Sequence, residues 1–108
     1  MRGEVWDANL AHAGRHPVVV LTANRFLRGM MSATAVLVTG TSGPRFTHIP
    51  LGEEAGLTGH PESYAVATEL HDVPLAAFRR RRGRLDRSEL DALSAAIRTT
   101  HGLEPESL

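Results

Sequence analysis

Residues able to do chemistry gather in two short stretches. Gly14-Arg15-His16-Pro17 leads straight into Val18-Val19-Val20-Leu21, so a guanidinium and an imidazole stand at the lip of a run that must be buried. Further on, Thr39-Gly40-Thr41-Ser42 closes a second apolar run with a hydroxyl-rich turn. Cation, imidazole and hydroxyl around one pocket suit phosphodiester chemistry. Attack by a ribose 2′-hydroxyl needs a proton acceptor, a donor for the leaving oxygen and positive charge on the phosphorane. Imidazole as a class serves both proton roles near neutrality, and the guanidinium fork matches phosphate geometry. Each stretch also reads as an ordinary solvated turn, where Gly, Ser and Thr are common. The residue types alone do not single out one reaction.

Composition removes several alternatives. The chain has 108 residues, enough for one domain with a real but small core. It has no cysteine, which excludes a disulfide scaffold, a thiolate zinc site and a thiol nucleophile. The six histidines are scattered, so neither a metal nor a cofactor is expected, and no phosphate-binding loop, paired-glycine dinucleotide motif or metalloprotease helix is present. No apolar run approaches the roughly 20 residues of a membrane span, and Met1-Arg2-Gly3-Glu4 opens no hydrophobic signal region. The expectation is a soluble, cytoplasmic protein without a membrane partner. Net charge is formally zero, yet all twelve cations are arginine and they are segregated: Arg2, Arg15, Arg25, Arg28 and Arg45 early, acids alone from Glu53 to Asp72, then Arg79 to Arg82 with Arg84. A neutral chain with separated charge can still present a basic face to nucleic acid; on an edge strand the same arginines serve to block aggregation.

These side chains need a scaffold, and period-two patterns supply it over three quarters of the chain. Residues 3–10, 17–23, 32–41, 45–51 and 63–70 read as strands, with Pro17 opening the second, where a missing amide does little harm. Residues 53–63 read as loop, 24–31 as a loop after the second strand, and 73–78 as a helical turn or strand continuation. The period then changes. Asp86 caps a helix, Glu89 reaches back to it, Leu90, Leu93 and Ile97 recur at helical spacing, and Gly102 ends the segment. The expected fold is mainly β (α+β): a small twisted antiparallel sheet or SH3-like barrel with a C-terminal helix, one domain over 1–103 and a frayed tail at 104–108.

The order of these pieces resembles a known family. The "RGEVW" opening, the basic residue before "PVVV", "TAVLVTGTS", and "GRLDRSELDALSAAIRTTHGL" together resemble the MazF/PemK toxin endoribonucleases, over Arg2 to about Leu103. The resemblance implies a homodimer with a twisted barrel of the MazF/PemK/CcdB type. It also implies metal-independent cutting of single-stranded RNA to a cyclic phosphate and a 5′-hydroxyl, and inhibition by a cognate antitoxin.

Residue by residue, the family's catalytic threonine falls on Thr41, with Thr39 as the neighbouring alternative. The family's arginine position, directly before the proline, holds His16; Arg15 stands one residue earlier, where strand alternation points it the other way. Either His16 takes over proton transfer, or Arg15 reaches in from the loop, or activity is reduced or lost. The favoured reading pairs His16 as acid/base with Arg15 on the phosphate. Arg25 and Arg28 are candidate phosphate contacts, Glu69 a base-edge acceptor, and His71 a phosphate or stacking contact. Trp6 reads as core or interface, and Phe26, Met30 and Met31 as residues for a dimer seam or antitoxin. His12, His48, His60 and His101 read as surface or turn residues. Two rivals share the fold: a gyrase-poisoning toxin, disfavoured by the lack of an aromatic in "THGLEPESL", and a degenerate relative that binds RNA or antitoxin without cutting.

Overall fold

The computed structural model describes residues 1–57, 59 and 62–102; His60 and the expected tail at 104–108 lie outside them. Six strands form one sheet: β1 Glu4–Leu10, β2 Gly14–Val20, β3 Ser32–Thr39, β4 His48–Pro50, β5 Tyr64–Pro74 and β6 Phe78–Arg84, in the order β4-β5-β3-β2-β1-β6. Every pairing is antiparallel. Two helices complete the described residues, the single turn α1 Asn24–Leu27 and the long α2 Arg87–Thr100, with 3-10 turns at Glu53–Ala55 and Leu75–Ala77.

Alternation gives the sheet two apolar faces. Val5, Val19, Val36, Val38, Ile49 and Leu85 pack with Leu93 of α2 on one of them. Ala8, Leu10, Val18, Ala35 and Val73 are buried on the other, with Trp6, Leu37 and Phe78 half-buried against them. That Val73 meets Leu10 follows from the length and bend of β5, whose register against β3 slips between Val36 and Val38. Such a slip bends the strand and raises its twist. Three residues then carry the chain to β6, which pairs with β1, so the sheet curls toward a barrel. The curl closes where the 53–56 turn lies on β6. A Cβ at Gly83 would collide with the Glu54 carbonyl oxygen, and one at Gly56 (φ +75°) with the Arg82 carbonyl oxygen. Only glycine permits both the approach and that backbone angle.

The expected capping box is present on α2. Asp86 Oδ1 accepts from the Glu89 amide at 2.8 Å, and Glu89 Oε1 accepts from the Asp86 amide at 2.8 Å. Glu89 Oε2 also accepts from the Gly52 amide at 2.6 Å, tying the helix start to the turn after β4.

Several boundaries differ from the sequence expectation: β3 ends at Thr39 rather than 41, β5 runs on to Pro74 rather than ending at 70, and a 3-10 turn, Glu53–Ala55, opens the stretch expected as loop. β2 begins at Gly14, so Pro17 lies inside the strand; the β2–β3 ladder reaches only Val18, and its missing amide is spared there. Residues 45–47 form a turn in which Thr47 and His48 both donate to the Pro44 carbonyl, and only His48–Pro50 is strand. Residues 73–78 divide among the end of β5, a 3-10 turn and the first residue of β6. Arg25 lies in helix α1 and Arg28 caps it, where a loop was expected.

Candidate active site

The site is built where β2 and β3 part company. The β1–β2 register sets His16 across from Ala8, and the β2–β3 register runs from Val20↔Ala35 to Val18↔Leu37. Continued by two residues, that register places His16 opposite Thr39. The half-buried His16 ring seals the gap: its Nε2 lies 2.7 Å from the Val38 carbonyl oxygen. A carbonyl can only accept, so Nε2 carries the proton, and in the neutral ring the lone pair is left on Nδ1. Beyond β3, the Thr41 amide donates to Thr39 Oγ1 at 3.2 Å, folding the turn back over the strand end and leaving Thr41 exposed. His16 and Thr39 thus stand at facing strand ends, the rim of the site, with the exposed Thr41 two residues beyond Thr39.

Two further side chains underlie this rim. Tyr64 pairs with Thr39 across β5 and β3, and its ring stands edge-on to His48 at 6.3 Å and 63°. The His48 ring packs so closely beneath the 40–44 turn that a Cβ at Gly43 would come within 2.5 Å of it. His48 Nδ1 also lies 2.8 Å from Thr47 Oγ1. Tyr64 donates its hydroxyl to Glu62 at 2.7 Å, a bond that pushes the phenol up from its ordinary value and keeps it neutral. Neither residue signals this role in the sequence. His48 reads as a surface histidine, and Tyr64 becomes a neighbour of Thr39 only once the β3–β5 register is known.

Arg15 is not brought onto His16's face. Asn9 pairs with Arg15 and Asp7 with Pro17, so these residues point away from Ala8 and His16. The Arg15 guanidinium lies 3.5 Å from Asp7 Oδ2, with the side chain still 56% exposed. Asp7 is almost fully buried and is shared with Arg82, whose Nη1 donates to it at 3.1 Å and whose Nη2 donates to the Gly56 carbonyl at 3.3 Å.

The other sequence candidates divide by position. Arg25 and Arg28 are exposed beside α1, beyond the far end of β2 from His16. Four residue steps along the strand take His16 to Val20, a span of about 13 Å, so these arginines do not join the rim. Arg25 lies over its neighbour Phe26 at 4.8 Å from the ring centroid. Glu69 and His71 sit together on β5, His71 Nε2 3.6 Å from Glu69 Oε2. That nitrogen is buried and has no hydrogen-bond partner among the described residues. It adjoins a cavity of about 230 Å³ lined by Asn9, His12, His71, Asp72 and the β1–β2 turn, the same hairpin whose return strand carries Arg15 and His16. Of the remaining histidines, His101 is engaged, its Nε2 2.9 Å from the Ala67 carbonyl oxygen, and His12 is exposed.

Alongside, Trp6 Nε1 donates to Glu4 at 3.0 Å, and Arg81 pairs with Glu4 at 3.1 Å. Burial works to raise the Glu4 carboxyl. The Trp6 bond and the positive charges of the Met1 ammonium and Arg81 outweigh it and hold the group below its ordinary value. Among the described residues no three His, Asp or Glu side chains converge as a metal cage would require, and no helix is long and apolar enough to cross a membrane.

Residues 1–101 match the family model of the PemK-like, MazF-like toxins of type II toxin–antitoxin systems. The chain belongs to that family. Solved structures agree in fold. A mycobacterial endoribonuclease in complex with its cognate antitoxin superposes with a TM-score of 0.86 at 21% identity, covering 98% of each chain. The Mycobacterium tuberculosis toxin MazF-mt6 gives 0.83 at 24% identity over 94% of this chain and 99% of that one. MazF of a Deinococcus radiodurans MazE–MazF complex gives 0.76 at 17% identity over 94% and 93%. No curated protein sequence matches the chain. The fold expected from the sequence, a twisted antiparallel sheet with a C-terminal helix, is the fold of these toxins.

Proposed function

We propose that this toxin is an endoribonuclease acting on single-stranded RNA without a metal, and that a cognate antitoxin restrains it. The observation that carries this reading is the bond from His16 Nε2 to the Val38 carbonyl. It fixes an imidazole beside the strand end that bears Thr39 and Thr41 and leaves Nδ1 free to accept a proton. In the proposed reaction His16 accepts the proton of the ribose 2′-hydroxyl. The 2′-oxygen then bonds to phosphorus, the bond to the 5′-oxygen breaks, and that oxygen takes a proton from water as it leaves, while His16 returns its proton to the solvent. The products are a 2′,3′-cyclic phosphate and a free 5′-hydroxyl. Thr41, with Thr39 behind it, donates to the phosphoryl oxygens. Arg15 contributes charge from the neighbouring face, by releasing Asp7 or by acting at longer range. Glu69 and His71 hold a base at the hairpin cavity, while Arg25 and Arg28 reach only the flanking strand. A homodimer, as the family resemblance implies, and a cytoplasmic location are part of the same reading. The relatives support it through their own descriptions, as an endoribonuclease with its antitoxin and as MazE–MazF complexes.

The test is cleavage of mixed single-stranded RNA in excess EDTA, with the ends typed, for the wild type and for His16→Ala, Thr41→Ala and Arg15→Ala. The expected result is 5′-hydroxyl ends, lost with His16→Ala and Thr41→Ala and reduced with Arg15→Ala. Intact RNA that is shifted in a gel by the wild-type protein would replace the enzyme with a binder.

A further inference from the structure

The run Arg79-Arg80-Arg81-Arg82-Gly83-Arg84 takes no part in the rim described above, yet it lies along β6, the edge strand of the sheet next to β1, which the 53–56 turn covers at Arg82 and Gly83. Its charge is only partly answered. Arg81 pairs with Glu4, and Arg82 is held by Asp7. Arg79 lies 3.0 and 3.2 Å from the Asn9 amide oxygen once that amide is turned toward it. Arg80 and Arg84 are exposed and have no acidic partner among the described residues. The edge is also contiguous with the site: Ala8 pairs with His16 on one side and with Phe78 on the other, so β6 starts one strand away from His16 and runs outward from it. It ends at an open depression lined by Glu54, Arg81, Arg84 and Arg87.

We infer that β6 is a track for the sugar-phosphate backbone of single-stranded RNA, extending the binding surface beyond the cleavage rim. This rests on the reading of the chain as acting on RNA. The register favours a phosphate chain over an acidic peptide added as a seventh strand. β6 is bulged twice: Val5 pairs with Gly83 but Trp6 with Arg81, and Asp7 with Arg80 but Ala8 with Phe78, leaving Arg82 and Arg79 as extra residues. Bulges break the even ladder that a peptide strand needs for in-register pairing, whereas guanidinium–phosphate contacts are indifferent to it. Arg80 and Arg84 pair with Asp7 and Glu4, on opposite faces of β1, so they flank the edge from its two sides. Four residues apart, they stand at most roughly 13 Å from one another, about two steps of an extended nucleotide chain.

The test measures binding, so it does not depend on whether the chain cuts. A single-stranded 2′-O-methyl oligouridine of about 16 nucleotides, which offers no 2′-hydroxyl for attack, is titrated from low to high salt against wild type, Arg80→Gln/Arg84→Gln and Arg80→Lys/Arg84→Lys. Loss of two phosphate contacts lowers the slope of log affinity against log salt by about 1.4 for a single strand; the glutamine pair shows that drop, and the lysine pair keeps the wild-type slope. A glutamine pair with an unchanged slope overturns the track. If that pair instead loses binding of an oligoglutamate peptide, the edge serves an acidic protein partner. If it loses neither, the arginines only keep the edge from pairing. The slope can fall while RNA stays intact in the EDTA assay, and then the track stands and the nuclease reading falls.

Discussion

The histidine before Pro17 is held by one of its two ring nitrogens. Imidazole is short and planar, and here its Nε2 is committed to the Val38 carbonyl, so the ring has one free nitrogen and a fixed orientation. That constraint separates a structural role from a chemical one. Glutamine can donate its amide to the same carbonyl but cannot carry a proton between substrate oxygens. His16→Gln is therefore expected to fold and melt like the wild type while cleaving RNA about 10²- to 10⁴-fold more slowly, the usual worth of a general acid or base. Cleavage rates beside a thermal melt decide it: a wild-type rate in His16→Gln would confine His16 to holding the end of β3. Arg15 shows what spacing alone conveys. Alternation already pointed it away from His16, but nothing in the sequence announced the buried Asp7 that receives it, because Asp7 sits in an alternating strand where any inward residue reads as core.

Elements were more legible than their partnerships. The capping box of α2 is local, set by Asp86 and Glu89 three residues apart, and the helix starts where the pattern says. β1 follows from its alternation, β2 from its continuous apolar run and β3 from its β-branched residues, although β2 starts at Gly14 rather than at Pro17. The 73–78 stretch was ambiguous because its identity depends on the curl that delivers β6 to β1, a long-range event that local propensity does not encode. Likewise His48 and Tyr64 meet under the Thr41 turn only through strand registers. The cap also has a pH signature. The bond from the Glu89 amide, helped by the Ser88 hydroxyl, holds the Asp86 carboxyl below its ordinary value of 3.8. A carboxylate depressed in the folded state contributes stability that is fully present above its unfolded value and is lost as the pH falls through the folded one. Asp86→Asn keeps an oxygen for the cap but no charge, so its stability deficit against wild type should be constant above about pH 5 and shrink on acidification below 3.8. Denaturant midpoints measured across that range check it; a deficit independent of pH would remove the charge from the account.

At the scale of the molecule, what must hold for the rim to exist is the closure of the curled sheet. β1 supplies Ala8 to the row containing His16, and β1 is held between β2 and β6. β6 in turn is pinned by the 53–56 turn through a backbone contact at Gly83 and by Arg82, which bridges Asp7 of β1 and the Gly56 carbonyl. A buried ion pair contributes little net stability when intact, but removing one partner leaves a desolvated charge. The backbone contact leaves no room at all. Gly83→Ala must push the turn off β6, separating the Gly56 carbonyl from Arg82, and overpacking of this kind costs on the order of 1–3 kcal/mol. The loss should spread: Asp7 loses the geometry of one arginine, and Arg15 becomes its main partner. Gly83→Ala is thus expected to lower the melting temperature by several degrees for a domain of this size. Gly29→Ala, an exposed glycine with nothing near its Cβ and no positive φ, should change it little. Equal melting temperatures for the two variants would mean that the 53–56 turn rests on β6 without closing the sheet.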